Sequence, residues 1–95
     1  MNDQTEAQKR CANICNKRGL HARASAKFVK LAETFAAQIT VSKGGETVGG
    51  TSIMGLMMLG AAQGSTIEVV TSGAQDAELA QALKDLLANN FGEGG

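Results

Sequence analysis

No proline, tryptophan or tyrosine occurs in this 95-residue chain, and histidine occurs once, at position 21. Nor is there a low-complexity or proline-rich linker to divide it, and 43% hydrophobic content over 95 residues fits one domain around one core. Excess charge of one sign is missing too, because nine basic residues balance nine acidic ones. Nucleic-acid binders carry a basic excess or stripe, so nucleic acid is not an expected partner. No apolar run approaches the ~20 residues of a membrane helix, and the opening Met1-Asn2-Asp3-Gln4-Thr5-Glu6-Ala7-Gln8 is too polar for a secretory signal. The expected location is the cytoplasm, without membrane insertion. Cys11 and Cys15 fall in a segment that reads as a strand. At ~3.3 Å per residue their Cα atoms lie about 13 Å apart, beyond disulfide reach, so both are expected as free thiols. With one histidine elsewhere they fall short of a metal-ligand set, and neither a metal nor another cofactor is expected.

What is present is a clear alternation of periods. Residues 1–8 read as a disordered polar leader, and Arg10 to Cys15 as a half-buried strand with Ala12 and Ile14 on one face. From Ala22 to about Thr34 there is no glycine, and Phe28, Val29, Ala32 and Phe35 recur at helical spacing. Ile39 and Val41 alternate in a second strand, Gly44-Gly45 supplies a tight hairpin turn, and Glu46 to Val48 returns as a third. Ile53 to Leu59 suits a short helix with Ser52 as N-cap and Gly60 at its end. Thr66 to Thr71 alternates again, and Leu79, Ala80, Leu83, Leu86 and Leu87 form the apolar stripe of a last helix opened by Asp76 and Glu78. Residues 92–95 read as a flexible tail after a domain spanning 9–91. The order β-α-β-β-α-β-α predicts an α+β open-faced sandwich, a four-stranded, mainly antiparallel sheet with three helices on one face and water on the other.

His21 lies where a glycine turn feeds the first helix, in Asn16-Lys17-Arg18-Gly19-Leu20-His21-Ala22-Arg23-Ala24. The first turn of a helix has backbone N–H groups without intrahelical partners and a dipole that favours negative charge. Arg23 adds a guanidinium that can fork around phosphate oxygens, in a position otherwise poor for the dipole. A neutral imidazole is also a nucleophile near pH 7. In the short helix, Leu56 and Leu59 are expected to point inward, while Ile53, Met54 and Met57 form an exposed apolar patch suited to transient docking.

Two motifs, Gly19-Leu20-His21-Ala22-Arg23 and, about thirty residues later, Ser52-Ile53-Met54-Gly55-Leu56-Met57, resemble those of the HPr family of bacterial phosphotransferase systems. The resemblance spans about residues 9 to 90. It implies a carrier that accepts a phosphoryl group on Nδ1 of His21 from enzyme I, charged by phosphoenolpyruvate, and passes it to a IIA domain. The same resemblance assigns stabilisation of the phosphoryl oxygens to Arg23 and to backbone amides at the helix start, here Ala22, Arg23 and Ala24. It further implies regulatory phosphorylation of Ser52 by an HPr kinase/phosphorylase, which would place about −2 charge beside the apolar patch. Ala24 departs from the pattern where many relatives have proline, and Thr51 departs where a lysine often precedes the regulatory serine. A monomeric carrier rather than a stand-alone enzyme is expected, since no paired carboxylates or nucleophile-base set is evident. Two other readings stay open: a nitrogen-branch carrier with no role in sugar uptake, and a regulatory binding module acting through Ser52.

Overall fold

The computed structural model describes residues 7–92, in the order β1 (Gln8–Asn13), α1 (Ala22–Ala32), β2 (Gln38–Lys43), β3 (Glu46–Gly49), α2 (Ile53–Met58), β4 (Thr66–Ser72) and α3 (Asp76–Ala88). A single turn of 3-10 helix, Asn90–Gly92, follows. Most of the expected leader, residues 1–6, and residues 93–95 of the expected tail lie outside the described residues. The four strands form one sheet in the order β1-β4-β2-β3, antiparallel at every pairing. The expected open-faced sandwich is therefore the observed fold. Among the described residues no helix is long and apolar enough to cross a membrane.

β1 starts two residues earlier than the periodicity predicts and ends before Cys15. Gln8 and Lys9 pair with Thr71 and Val70 of β4, a ladder carried by backbone groups that leaves no apolar signature at those positions. Beyond the strand, Ile14 N–H donates to Ser65 O and Gly64 N–H to Ile14 O, both at 2.8 Å, which prolongs the tie to the β4 approach. α1 stops at Ala32 instead of Thr34 because the chain tightens there: the Thr34 N–H and hydroxyl both donate to Leu31 O, at 3.0 and 2.7 Å. The β2–β3 hairpin turns on Gly44 and Gly45, whose φ angles of +57° and +88° are those an L side chain resists.

One face of the sheet carries Ile39, Val41, Ile67 and Val69 into the core, where they meet Phe28 and Val29 of α1, Leu56 of α2, and Leu79, Leu83 and Leu87 of α3. The opposite face carries polar side chains, including a solvent-screened Lys9–Glu68 pair at 3.7 Å that adds little stability. Leu20, Ala61 and Phe91 join this core without belonging to any periodic apolar stripe. Phe91 is fully buried, although it follows the last helix and takes left-handed backbone angles, φ 55° and ψ 24°. Asn90 just before it is also left-handed, at φ 53°. Lys27 of α1 donates from Nζ to Phe91 O at 2.6 Å, so the end of the chain is fastened to the first helix. Truncation by Phe91→Ala should lower the unfolding free energy by about 3–5 kcal/mol, read as a shift in urea midpoint at unchanged slope. An unshifted midpoint would contradict this assignment of Phe91 to the core.

Candidate functional site

The site begins with the turn between β1 and α1. Gly19 has φ +65°, and a Cβ placed on it would collide with the Ala61 carbonyl oxygen and lie 2.9 Å from Ala62 Cα. Only glycine meets both conditions. Its neighbour Leu20 then donates its N–H to that same Ala61 oxygen at 2.9 Å. The Gly19 carbonyl is held from two sides, by Asn16 Nδ2 at 2.9 Å and by the His21 N–H at 2.9 Å. Gly19 N–H closes the turn on Asn16 O at 3.2 Å. Asn16 is fully buried, so its amide is a fixed brace, and the sequence reading gave it no role. A buried position cannot be read from an asparagine in a polar run; its spacing of three before a turn glycine was the only available signal.

These bonds deliver His21 to the N-cap of α1 with extended backbone, φ −75° and ψ −178°. The first intrahelical bond is Ser25 N–H to His21 O, at 2.8 Å. Ser25, also buried, donates its hydroxyl to Leu20 O at 3.2 Å and so fixes the peptide ahead of His21. No side chain caps this end, and no acidic residue stands in its first turn. His21 is half-buried, while Ala22 and Arg23 are exposed. The amides of Ala22 and Arg23 therefore form the open, electropositive start of an eleven-residue helix. Arg23 forms no hydrogen bond or ion pair with the other described residues, which leaves its guanidinium available to an anion. Ala24, the third residue of the expected amide set, is fully buried, whereas Ala22 and Arg23 are exposed.

α2 packs against α1. Ser52 caps it, its Oγ accepting the Gly55 N–H at 3.0 Å while the residue stays exposed. Leu56 and Leu59 are buried beneath it, and Ile53, Met54 and Met57 are exposed, as expected. Met58 is exposed as well and extends the patch beyond the sequence reading. Cys11, on β1, and Cys15, in the connection that leads to Asn16, are exposed free thiols. A cleft of about 630 Å³ between β1 and α3, with Arg10, Ala12, Val69, Ala80 and Leu83 in its walls, reaches Cys15 but contains no residue of Asn16 to His21 or of α1. Among the described residues no three His, Cys, Asp or Glu side chains come together as a metal site.

The sequence of residues 8–89 matches the family described as "PTS HPr component phosphorylation site". The phosphocarrier protein HPr of Neisseria meningitidis is 52% identical over 86 residues, covering 90% of this chain and 97% of that protein. A phosphocarrier protein NPr from Shewanella violacea is 45% identical over 71 residues, 75% of this chain and 77% of that one. In three dimensions, the crystal structure of HPr from Thermoanaerobacter tengcongensis superposes with a TM-score of 0.86 at 42% identity, covering 90% of this chain and 97% of the other.

The Gly19 contact makes a direct prediction. Gly19→Ala should reduce unfolding free energy by about 2–3 kcal/mol, through the left-handed backbone and the clash with Ala61. It should also speed hydrogen exchange at the Leu20 amide. Retention of wild-type exchange at Leu20 would show that the turn does not depend on this close approach.

Proposed function

The chain belongs to the HPr family of phosphocarrier proteins, and on that footing we propose that His21 carries a phosphoryl group between enzyme I and a IIA domain of a phosphotransferase system, in the cytoplasm. The observation that carries this reading is the joint placement of three things: an imidazole at the N-cap of α1, two exposed residues directly after it whose amides open the helix, and an arginine without a carboxylate partner among the described residues. The Nδ1 lone pair attacks phosphorus, the N–P bond forms, and the bond from phosphorus to the donor atom on enzyme I breaks. Onward transfer reverses the roles, with His21 as the leaving group and a nucleophile of the IIA domain as acceptor. The oxygens of the carried group lie near the Ala22 and Arg23 amides and the Arg23 guanidinium, donors that are in place before charge arrives. Chemistry beyond this cradle comes from the partner, so the chain acts as a carrier.

Partners dock on Ile53, Met54 and Met57, whose modest apolar area suits an encounter that must end quickly. Phosphorylation of the exposed Ser52 hydroxyl would put about −2 charge at the edge of that surface and oppose docking by desolvation and like-charge repulsion. The similarity to an NPr also supports a second reading, a nitrogen-branch carrier with the same His21 chemistry and a different IIA partner.

With labelled phosphoenolpyruvate and enzyme I, the wild type should take up acid-labile label and His21→Ala none, while Arg23→Ala should slow uptake about ten- to a hundredfold. Label retained in His21→Ala would overturn the assignment. Ser52→Asp should raise the KM for transfer from enzyme I with kcat little changed, and an unchanged KM would remove the regulatory role of this position. Comparing sugar-specific with nitrogen-branch IIA domains as acceptors separates the two branches.

A further inference from the structure

Thioether sulfur is concentrated on one exposed surface of this protein. Met54, Met57 and Met58 all lie on α2, a helix of six residues, and among the described residues no methionine contributes to the buried core. Met54 and Met58 are 69% and 74% exposed, against 40% for Met57. The anchoring of α2 is left to Leu56 and Leu59, both buried. Leucine or isoleucine would give the outer face the same apolar character without an oxidisable atom.

We propose that Met54, Met57 and Met58 form an oxidation-sensitive surface, on which peroxides convert thioethers to sulfoxides and turn an apolar face polar while the fold stays intact. In each step the Sδ lone pair takes an oxygen atom from the peroxide, an S–O bond forms and the O–O bond breaks. Sulfur is oxidised by two electrons, and hydrogen peroxide is reduced to water. Exposure sets the order: Met58 and Met54 react ahead of Met57. The sulfoxide oxygen is a strong acceptor that must be desolvated when a partner covers the patch, so docking weakens; a methionine sulfoxide reductase restores the thioether. This last consequence rests on the docking role proposed above for the patch, whereas the order of oxidation and the change in surface character do not. The fold survives because the three side chains point outward from a helix held by Leu56 and Leu59.

The test uses the full chain carrying Cys11→Ser and Cys15→Ser, which removes the two exposed thiols that compete for peroxide. After graded hydrogen peroxide, peptide mass spectrometry should find one added oxygen at Met58 and Met54 before Met57. Retention on a hydrophobic-interaction column should fall, and the thermal midpoint should stay within a degree or so of the untreated protein. The KM for phosphoryl transfer from enzyme I should rise about tenfold with kcat held, and reductase treatment should reverse it. Met54→Leu, Met57→Leu and Met58→Leu combined, whatever its own starting retention and KM, should show no change in either on the same treatment. Oxidised protein with unchanged retention would overturn the proposal, as would equal loss of transfer in the triple leucine variant. Failure of the untreated protein to accept phosphoryl groups would instead defeat the carrier reading; oxidation order and column retention, which need no partner, would still decide the proposal.

Discussion

The Ala61 carbonyl oxygen is the point on which the turn before α1 is built. It blocks any side chain at position 19 and accepts the Leu20 N–H, so the chain must reverse there with left-handed backbone and leave in a fixed direction. Asn16 and Ser25, both buried, hold the Gly19 and Leu20 carbonyls in the same turn. His21 inherits its place from these bonds and makes none as a side-chain cap. Had the imidazole capped the helix, it would occupy the amides that an anion needs. Bracing the backbone from below leaves the exposed Ala22 and Arg23 without a side-chain cap over them.

α2 divides two tasks within six residues. Its inner side, through Leu56, anchors it to the core, and its outer side stays apolar at the cost of exposing three methionines and an isoleucine. Ser52 does local work as the N-cap and remains exposed. A hydroxyl already used as an acceptor by the Gly55 N–H ties any modification there to the first turn of α2 as well as to the surface beside it.

Much of this was legible in the residues because binary patterning was strong. Ile67, Val69 and Thr71 alternate inward as their period requires, and the Phe28–Val29–Ala32 stripe of α1 is buried. The His21–Arg23 motif marked a candidate site because it combined a glycine turn, a helix start and a cation. What failed to show had no periodic signal. Phe91 is one aromatic residue after two asparagines, and it reaches the core through left-handed backbone that only the tertiary fold makes worthwhile. Gln8 joins β1 through main-chain pairing with Thr71, to which its side chain contributes no pattern. Ala24 reads from the motif only as a first-turn residue where many relatives have proline, and its full burial has no periodic signal. Asn16 is polar by type and buried by position, a combination that depends on the neighbouring loop.

Dependence on Ala61 also makes the site a late product of folding. The turn at Gly19 closes on a residue more than forty positions downstream, and β1 completes its ladder only against β4. Contacts of such sequence separation carry a large loop-closure entropy and form slowly compared with local helix formation. The turn before α1 therefore takes shape only when the segment through Ser72 has been synthesised. The turn that places His21 is thus set by residues made long after its own, so the geometry of that end of α1 belongs to the assembled sheet and not to the local segment.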